Sequence, residues 1–201
     1  MPQRRPLPFR SRPRIELLED RSVPAVIASQ DGAGIVTVTL NAASDSATLT
    51  GTGAAGTTLD VTDNVAASTQ SFSGVTGIRV LDAAANGTQS VTFEDDVAGT
   101  KIAVSGAIEV TGIETVSIST ANSALQGGSL SISGATAIAL GANVTTSGSA
   151  GQSYGGPVTL GGSAITLDAG ANGSVAFPQT VNGAAALLVN SGGFTSVPGI
   201  V

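Results

Sequence analysis

The chain has 201 residues and a formal net charge of −6, and it contains no cysteine and no histidine. Charged residues make up 11% of it, against about 25% in an ordinary globular domain. The lack of cysteine excludes disulfides and thiolate metal sites, and there is no run of 18 apolar residues to form a transmembrane helix. Because only 3% of the residues are aromatic, the composition favours thin layers of closely packed strand.

Residues 1–30 differ in composition from everything that follows. Six of the eight basic residues lie in the first 21 positions, whereas the remainder has Arg79 and Lys101 against eleven acidic residues. Prolines at positions 2, 6, 8 and 13 exclude a helix at the start. "RIELLEDR" (14–21) is long enough for two helical turns, a length that is marginal in water. We predict that this Arg- and Pro-rich segment is largely unstructured or briefly helical.

Residues 31–201 show a different pattern, in which apolar and polar residues alternate. Alternation over four to six residues predicts a strand with one buried face, and Gly, Asn, Asp and Ser between these segments indicate turns. The predicted strands are residues 35–40, 58–62, 78–82, 90–94, 101–105, 108–112, 115–119, 130–133, 158–162, 165–169 and 174–177.

Short strands that recur with glycine turns predict one all-β domain over residues 31–201, a right-handed parallel β-solenoid. A local echo supports repetition, since "VTGI" at 75–78 recurs at 110–113. A β-sandwich is the alternative, but it would usually have longer strands and a core with more large residues.

Two glycine motifs resemble enzyme signatures but lack what the chemistry requires. "GTGAAG" (51–56) has the dinucleotide pattern, yet alternating β-branched residues follow it instead of the helix that holds a pyrophosphate. "GQSYG" (151–155) has the serine-elbow pattern, yet a catalytic Ser153 needs a base, nearly always histidine. We therefore predict a turn at 51–56, no cofactor and no catalytic residue.

The cluster "FEDDV" (93–97) contains three consecutive acidic residues, Glu94, Asp95 and Asp96. Oxygen ligands of this kind bind Ca²⁺, and carboxylates also serve β-helical polysaccharide lyases and glycosidases. Consecutive residues of a strand face opposite sides, however, so the three side chains cannot share one site there. We predict a solvated turn and no metal site.

The segment "IELLEDRSVPA" resembles a signature of large extracellular proteins of planctomycete bacteria. In those proteins an Arg-rich stretch precedes L-E-x-L-E-D-R-x-x-P and a small residue. The match covers Glu16, Leu18, Glu19, Asp20, Arg21, Pro24 and Ala25, whereas Ile15 replaces the first leucine. The resemblance implies that these residues are a targeting signature for export or surface attachment.

Residues 153–193 resemble bacterial surface adhesins of the filamentous-haemagglutinin and autotransporter-passenger kind. The stretch repeats their cadence of Tyr-x-Gly-x-Val, a strand, a glycine turn, Val-x-Phe, Val-Asn-Gly and Leu-x-Val. In that family these residues are structural, so the resemblance implies no catalytic role. Since such repeats would continue beyond Val201, a fragment of a longer surface protein is an alternative.

These observations predict a non-enzymatic, structural or adhesive protein of the bacterial surface or extracellular space. Thr, Ser and Asn ladders would bind glycans or other surface proteins. The negative body is a poor match for nucleic acid, because phosphate contacts need Lys and Arg. A β-helical polysaccharide lyase or glycosidase is the alternative, and it would place carboxylates and a basic residue in one groove.

Overall fold

The computed structural model describes residues 26–84, 87–119, 123–162 and 164–197. Within these ranges the protein contains twenty strands and no helix, which confirms the all-β class. In chain order the strands are β1 (Val26–Gln30), β2 (Ile35–Leu40), β3 (Ser46–Gly51), β4 (Thr58–Asp63), β5 (Ser68–Ser73), β6 (Gly77–Asp82), β7 (Ser90–Asp95), β8 (Ala107–Thr111), β9 (Thr115–Ile118), β10 (Leu125–Gly127), β11 (Ser129–Ser133), β12 (Ala137–Leu140), β13 (Val144–Thr146), β14 (Gln152–Tyr154), β15 (Val158–Leu160), β16 (Ala164–Asp168), β17 (Val175–Ala176), β18 (Val181–Gly183), β19 (Ala186–Asn190) and β20 (Thr195–Ser196).

The strands form three sheets. Sheet 1 has the order β1-β2-β6-β8-β11-β14-β17-β20, sheet 2 the order β18-β15-β12-β9-β7-β3-β4-β5, and sheet 3 the order β10-β13-β16-β19. From β8 onward the chain visits sheets 1, 2 and 3 in turn, and each strand pairs in parallel with the strand of the previous visit. Ile108 thus pairs with Leu130, and Leu130 with Gln152, at equal intervals along the sequence. Parallel neighbours need a long connection, which is supplied here by passage through the other two sheets.

Near the N-terminal side the pairing is antiparallel, which departs from the parallel arrangement expected throughout. β1 pairs with β2, β3 with β4, and β4 with β5 in antiparallel fashion. The cause is the short connections, since a turn of a few residues can join antiparallel strands only. In the first turn, Oδ1 of Asp31 accepts hydrogen bonds from the N–H groups of Ala33 and Ile35, both at 2.9 Å. Gly34 adopts a φ of +84°, a left-handed conformation that favours glycine.

Residues 26–30, which the sequence assigned to the N-terminal segment, are strand β1. Val26 and Ala28 point to the core and are 3% and 9% exposed. The N–H of Val26 also donates to Oδ2 of the buried Asp63 at 3.2 Å. The ordered body therefore includes residues ahead of the expected boundary.

The core consists of rows of aliphatic side chains that stack from strand to strand. Inward residues alternate with outward ones along β2, β3, β4 and β7. One row of sheet 2 joins consecutive strands through residues that are each at most 1% exposed: Val91, Val116, Ile138 and Val158. Such rows fill a narrow interior with small side chains, in agreement with the composition.

A buried polar network interrupts the aliphatic rows of sheet 1. The hydroxyl of Tyr154 donates to Oε1 of Gln152 at 2.8 Å, and Nε2 of Gln152 donates to the carbonyl of Asp168 at 2.9 Å. The ring of Tyr154 stacks on Phe177 with centroids 5.0 Å apart. Complete burial raises the pKa of Tyr154 far above its usual range.

Two predictions are wrong, one about an internal repeat and one about a strand. The "VTGI" echo is not a structural repeat, because Ile78 pairs with Ile108 and not with Ile113. Residues 101–105 make only isolated bridges, Lys101 with Gly53 and Ala103 with Gln126. Their alternating burial nevertheless follows the sequence pattern, with Ile102 and Val104 in the core.

Candidate binding surface

The outer face of sheet 2 carries a continuous row of small and mostly polar side chains, here called the hydroxyl row. One residue from each of the eight strands contributes, and Cα pairing links each residue to the next. In spatial order the row is Thr69, Thr62, Thr48, Thr92, Ser117, Ala139, Thr159 and Asn182. Neighbouring strands lie about 4.8 Å apart, so polar groups repeat at that spacing across the sheet except at Ala139.

One half of the hydroxyl row is ordered by hydrogen bonds between side chains. The hydroxyls of Thr62 and Thr69 lie 2.9 Å apart, and Nδ2 of Asn64 donates to Oγ1 of Thr48 at 3.0 Å. In the flanking row, Ser90 donates to Ser46 at 2.9 Å. Cross-strand polar pairs of this kind stabilise a sheet modestly and hold the side chains in place.

The other half of the hydroxyl row leaves its hydroxyls available. Among the described residues, Thr92, Ser117 and Thr159 make no side-chain hydrogen bond, and Thr159 is exposed. An outward hydroxyl can both donate and accept a hydrogen bond. These three positions can therefore bind an external polar group without breaking an internal contact.

The outer faces of sheets 2 and 1 differ in where they carry charged side chains. The hydroxyl row has no charged residue, and the carboxylates of Asp60 and Glu94 lie in the next row, on either side of Thr50. Thr50 donates to Oε1 of Glu94 at 3.1 Å. The corresponding row of sheet 1 is interrupted by an ion pair between Arg79 and Glu109, with Nε and Oε2 3.0 Å apart.

The Arg79–Glu109 pair lies at a shallow groove of about 260 Å³ on sheet 1. Both side chains are nearly half exposed, at 47% and 43%. The rest of the groove is lined mainly by small residues such as Ala33, Gly106 and Ala107. It offers little apolar area and few converging polar groups, so it is a weaker candidate for ligand binding than the hydroxyl row.

The first two residues of the acidic cluster face opposite sides of a strand. Glu94 and Asp95 belong to β7, and the turn expected for all three residues begins only at Asp96. Glu94 faces outward, whereas Asp95 faces inward, is 8% exposed and accepts a hydrogen bond from Oγ of Ser123 at 3.2 Å. Across the part of the chain that the structure describes, no group of three His, Cys, Asp or Glu side chains could hold a metal ion.

The two glycine motifs lie in local structures that differ from those required by the enzyme signatures they resemble. Gly51 is the last residue of β3, and residues 52–57 connect it to the antiparallel β4, so the predicted turn is confirmed and strand, not helix, follows. Ser153 is the central residue of β14 and pairs with Ser131 and Ala176 on the outer face of sheet 1. Its environment is an ordinary strand instead of a strained elbow.

The targeting signature, Glu16, Leu18, Glu19, Asp20, Arg21 and Pro24, lies outside the described residues. No helix in the described ranges is long and apolar enough to cross a membrane. No protein-family model, curated protein or solved structure matches the chain. The interpretation of its surface therefore depends on its own geometry.

Proposed function

We propose that the chain is a non-enzymatic protein of the bacterial surface or extracellular space with a structural or adhesive role. In this proposal it folds as a right-handed parallel β-solenoid, and the hydroxyl row binds neutral glycans. Three observations support the solenoid: the passage through three sheets in turn, the parallel pairing, and the equal sequence intervals from Ile108 to Leu130 and on to Gln152.

The observation that carries the binding function is the hydroxyl row itself. Glycans present hydroxyls at regular intervals, and Thr, Ser and Asn side chains match them as donors and acceptors. A single such contact is weak, because it replaces a hydrogen bond to water. Several equivalent contacts along one polymer chain add through effective concentration. A rigid, uncharged row therefore suits a long neutral polysaccharide better than a small ligand.

A binding experiment with matched variants tests this role. The purified chain is titrated against a panel of soluble neutral polysaccharides, together with the variant Thr92→Val, Ser117→Ala, Thr159→Val. These changes remove three available hydroxyls and keep residues that a strand tolerates. The control is Thr37→Val, Ser131→Ala, Ser153→Ala, which makes equivalent changes on sheet 1.

We expect a polysaccharide of the panel to bind, and the variant to lose about tenfold or more in affinity if each lost bond contributes about 0.5 kcal/mol or more. The control should bind as the wild type does. Equal losses in both variants, or no binding to any polysaccharide, would contradict a role of the hydroxyl row in glycan binding.

Export depends on a different part of the chain. The resemblance of residues 14–25 to an extracellular signature supports it, and changing Asp20 and Arg21 to alanine should abolish surface or extracellular localisation in cell fractionation. Asp96→Ala removes a charge at an exposed position outside the signature and should leave the location unchanged. A wild-type protein found in the cytoplasm would refute the proposed location.

A further inference from the structure

The turn between β16 and β17 contains Asn172, and Gly173 follows it directly. Asn172 is exposed and is the last of the three turn residues 170–172. Within the described ranges, neither the side-chain amide of Asn172 nor the backbone N–H of Gly173 makes a hydrogen bond. An exposed side chain without a partner can change its rotamer freely. The carbonyl carbon of this amide can therefore approach the backbone nitrogen of the next residue.

Glycine at position 173 leaves that approach sterically open. A Cβ on the following residue restricts rotation about the backbone bonds beside the nitrogen, whereas glycine does not. The packing of the turn also requires glycine here, because a Cβ would collide with the carbonyl oxygen of Ala169. The fold therefore places an unhindered backbone nitrogen next to an exposed asparagine amide.

We propose that Asn172 is a site of spontaneous modification, at which water converts the asparagine to isoaspartate or aspartate. Hydroxide removes the proton from the N–H of Gly173, and this nitrogen attacks the side-chain carbonyl carbon of Asn172. A new carbon–nitrogen bond forms, the bond to the side-chain nitrogen breaks, and that nitrogen takes a proton from water and leaves as ammonia. Water then opens the five-membered succinimide ring at either of its carbonyl carbons. The net reaction consumes water and releases ammonia.

Asn143 provides a comparison within the same chain. Asn143 and Asn172 both follow the dipeptide Gly-Ala, and both are exposed. Oδ1 of Asn143, however, accepts a hydrogen bond from the N–H of Thr166 at 2.7 Å. The next residue, Val144, begins strand β13 and is β-branched, which makes it stiff. The structure therefore favours the reaction at Asn172 and opposes it at Asn143.

Other asparagines that precede a glycine differ in their surroundings. Asn182 and Gly183 both belong to β18, where they pair with β15 and the backbone is extended. Asn86 lies outside the described residues. Asn172 thus combines the glycine that follows it with a position in a turn.

The modification changes a contact between two consecutive passages of the chain. The carbonyl of Gly173 accepts hydrogen bonds from the N–H of Gly193 and from Oγ of Ser191, both at 2.9 Å. Isoaspartate routes the main chain through the former side chain and so inserts one methylene just before Gly173. This insertion moves the carbonyl away from its two donors. Conversion to isoaspartate should therefore loosen the attachment of residues 191–193.

Incubation of the purified full chain, followed by peptide mass spectrometry, tests the proposal. We expect conversion at Asn172 to be about tenfold or more faster than at Asn143, and to accelerate at alkaline pH because the reacting nitrogen must lose its proton. Gly173 is buried, so the reaction needs a local opening of the turn. The rate should therefore be lower than in the same chain unfolded in urea. Equal rates at the two asparagines, or conversion of Asn172 in urea only, would overturn the proposal.

A variant with a longer side chain gives the matched control. Asn172→Gln keeps an exposed amide but enlarges the ring that must close, so its peptide should keep its mass over the same incubation. Hydrogen exchange at Gly193 should accelerate in the converted wild-type chain and stay slow in the incubated variant. Conversion of Asn172→Gln at the rate of the wild type would refute cyclisation through Gly173. Unchanged exchange at Gly193 in the isoaspartate form would contradict the predicted displacement of the carbonyl.

Discussion

At one end of the molecule, here called the closed end, the antiparallel strands β1, β4 and β5 cover the core, whereas at the other, here called the open end, no described strand pairs with the outer edges of β18, β19 and β20. Leu59 and Val61 of β4 are each 2% exposed, although they lie in the second strand from the edge. Leu187 and Val189 of β19 are in contact with solvent. The same alternation of apolar and polar residues therefore gives a closed end or an open end, depending on what covers the last strand.

The closed end shows how a sheet edge is protected. β5 has the sequence STQSFS and presents polar side chains on both faces, so it ends sheet 2 without requiring another layer. Asp63, at 3% exposure, accepts three backbone hydrogen bonds and ties β1 to the turn after β4. Polar edge strands and buried caps of this kind discourage further pairing.

The largest expected difference between the ends is in the stability lost when a leucine is truncated to alanine. Leu59→Ala should lower the free energy of unfolding by about 2–5 kcal/mol, because it opens a cavity in a closed core. Leu187→Ala should cost less than about 1.5 kcal/mol, because that side chain is already partly in water. Urea unfolding at a concentration where the chain is monomeric measures both, and equal losses would show that the two ends are equally packed.

A smaller difference between the two ends is expected when an aspartate that accepts backbone hydrogen bonds is removed. Asp63→Ala leaves three N–H groups without their acceptor and should cost about 1–3 kcal/mol. Asp168→Ala, near the open end, removes one bond to the N–H of Gly170 and should cost about 1 kcal/mol or less. Hydrogen exchange of the β1 amides should accelerate in the first variant only. Unchanged protection of β1 would mean that Asp63 does not hold this strand.

The core beside the open end should show a distinct pH dependence. Burial raises the pKa of Tyr154 in the folded state, so the unfolded state loses its phenolic proton first as the pH rises. The stability that this group contributes is complete below the ordinary pKa of about 10 and decreases above it. Tyr154 is the one tyrosine of the chain, so tyrosinate absorbance reports it alone.

Ionisation of Tyr154 should coincide with unfolding in an alkaline titration. Tyr154→Phe should keep the stack on Phe177, lose about 1 kcal/mol or more at neutral pH because Oε1 of Gln152 loses its donor, and unfold with a weaker dependence on alkaline pH. Tyrosinate that appears near pH 10 while the strands stay folded would show that the phenol is accessible to solvent.

The smallest effect on stability is expected on the outer face of sheet 1. Arg79→Ala should change the free energy of unfolding by less than about 1 kcal/mol, because its ion pair with Glu109 is exposed and screened. A double-mutant cycle with Glu109→Ala gives the coupling energy directly. A coupling energy above about 2 kcal/mol exceeds what exposed ion pairs contribute. Such a value would show that this pair contributes substantially to the stability of the fold.

The sequence predicted many of the strands whose two faces have different environments, but it missed β3 and β12, which also alternate in burial. The segment 35–40 is β2 as expected, because Val36, Val38 and Leu40 alternate with polar residues. Strands such as β10, β13 and β18 have only three residues and are too short to show a period. β5 was missed because only Phe72 of its six residues packs against the core, so its sequence shows no apolar alternation.

The hydroxyl row could not be located from the sequence, although ladders of this composition were expected. The sequence intervals between successive members of the row are unequal, and the one from Thr48 to Thr92 is far longer than those that follow. Loops of different length change each interval, so no fixed period aligns these residues. The short turns around Asp31 and Asp63 did carry a signal for antiparallel pairing, since few residues separate their strands.

The passage of the chain through three sheets underlies the proposed solenoid, and distances between spin labels test it most directly. Because the chain has no cysteine, labels can be placed at Thr69 with Thr159, and in a second sample at Thr37 with Ser153. The first pair lies six strand steps apart in sheet 2 and should give about 29 Å between Cα atoms, and the second lies four steps apart in sheet 1 and should give about 19 Å. The pair separated by more residues in the sequence is thus the closer pair in space. Two narrow distributions in that order are predicted, and the opposite order or broad distributions would contradict the account.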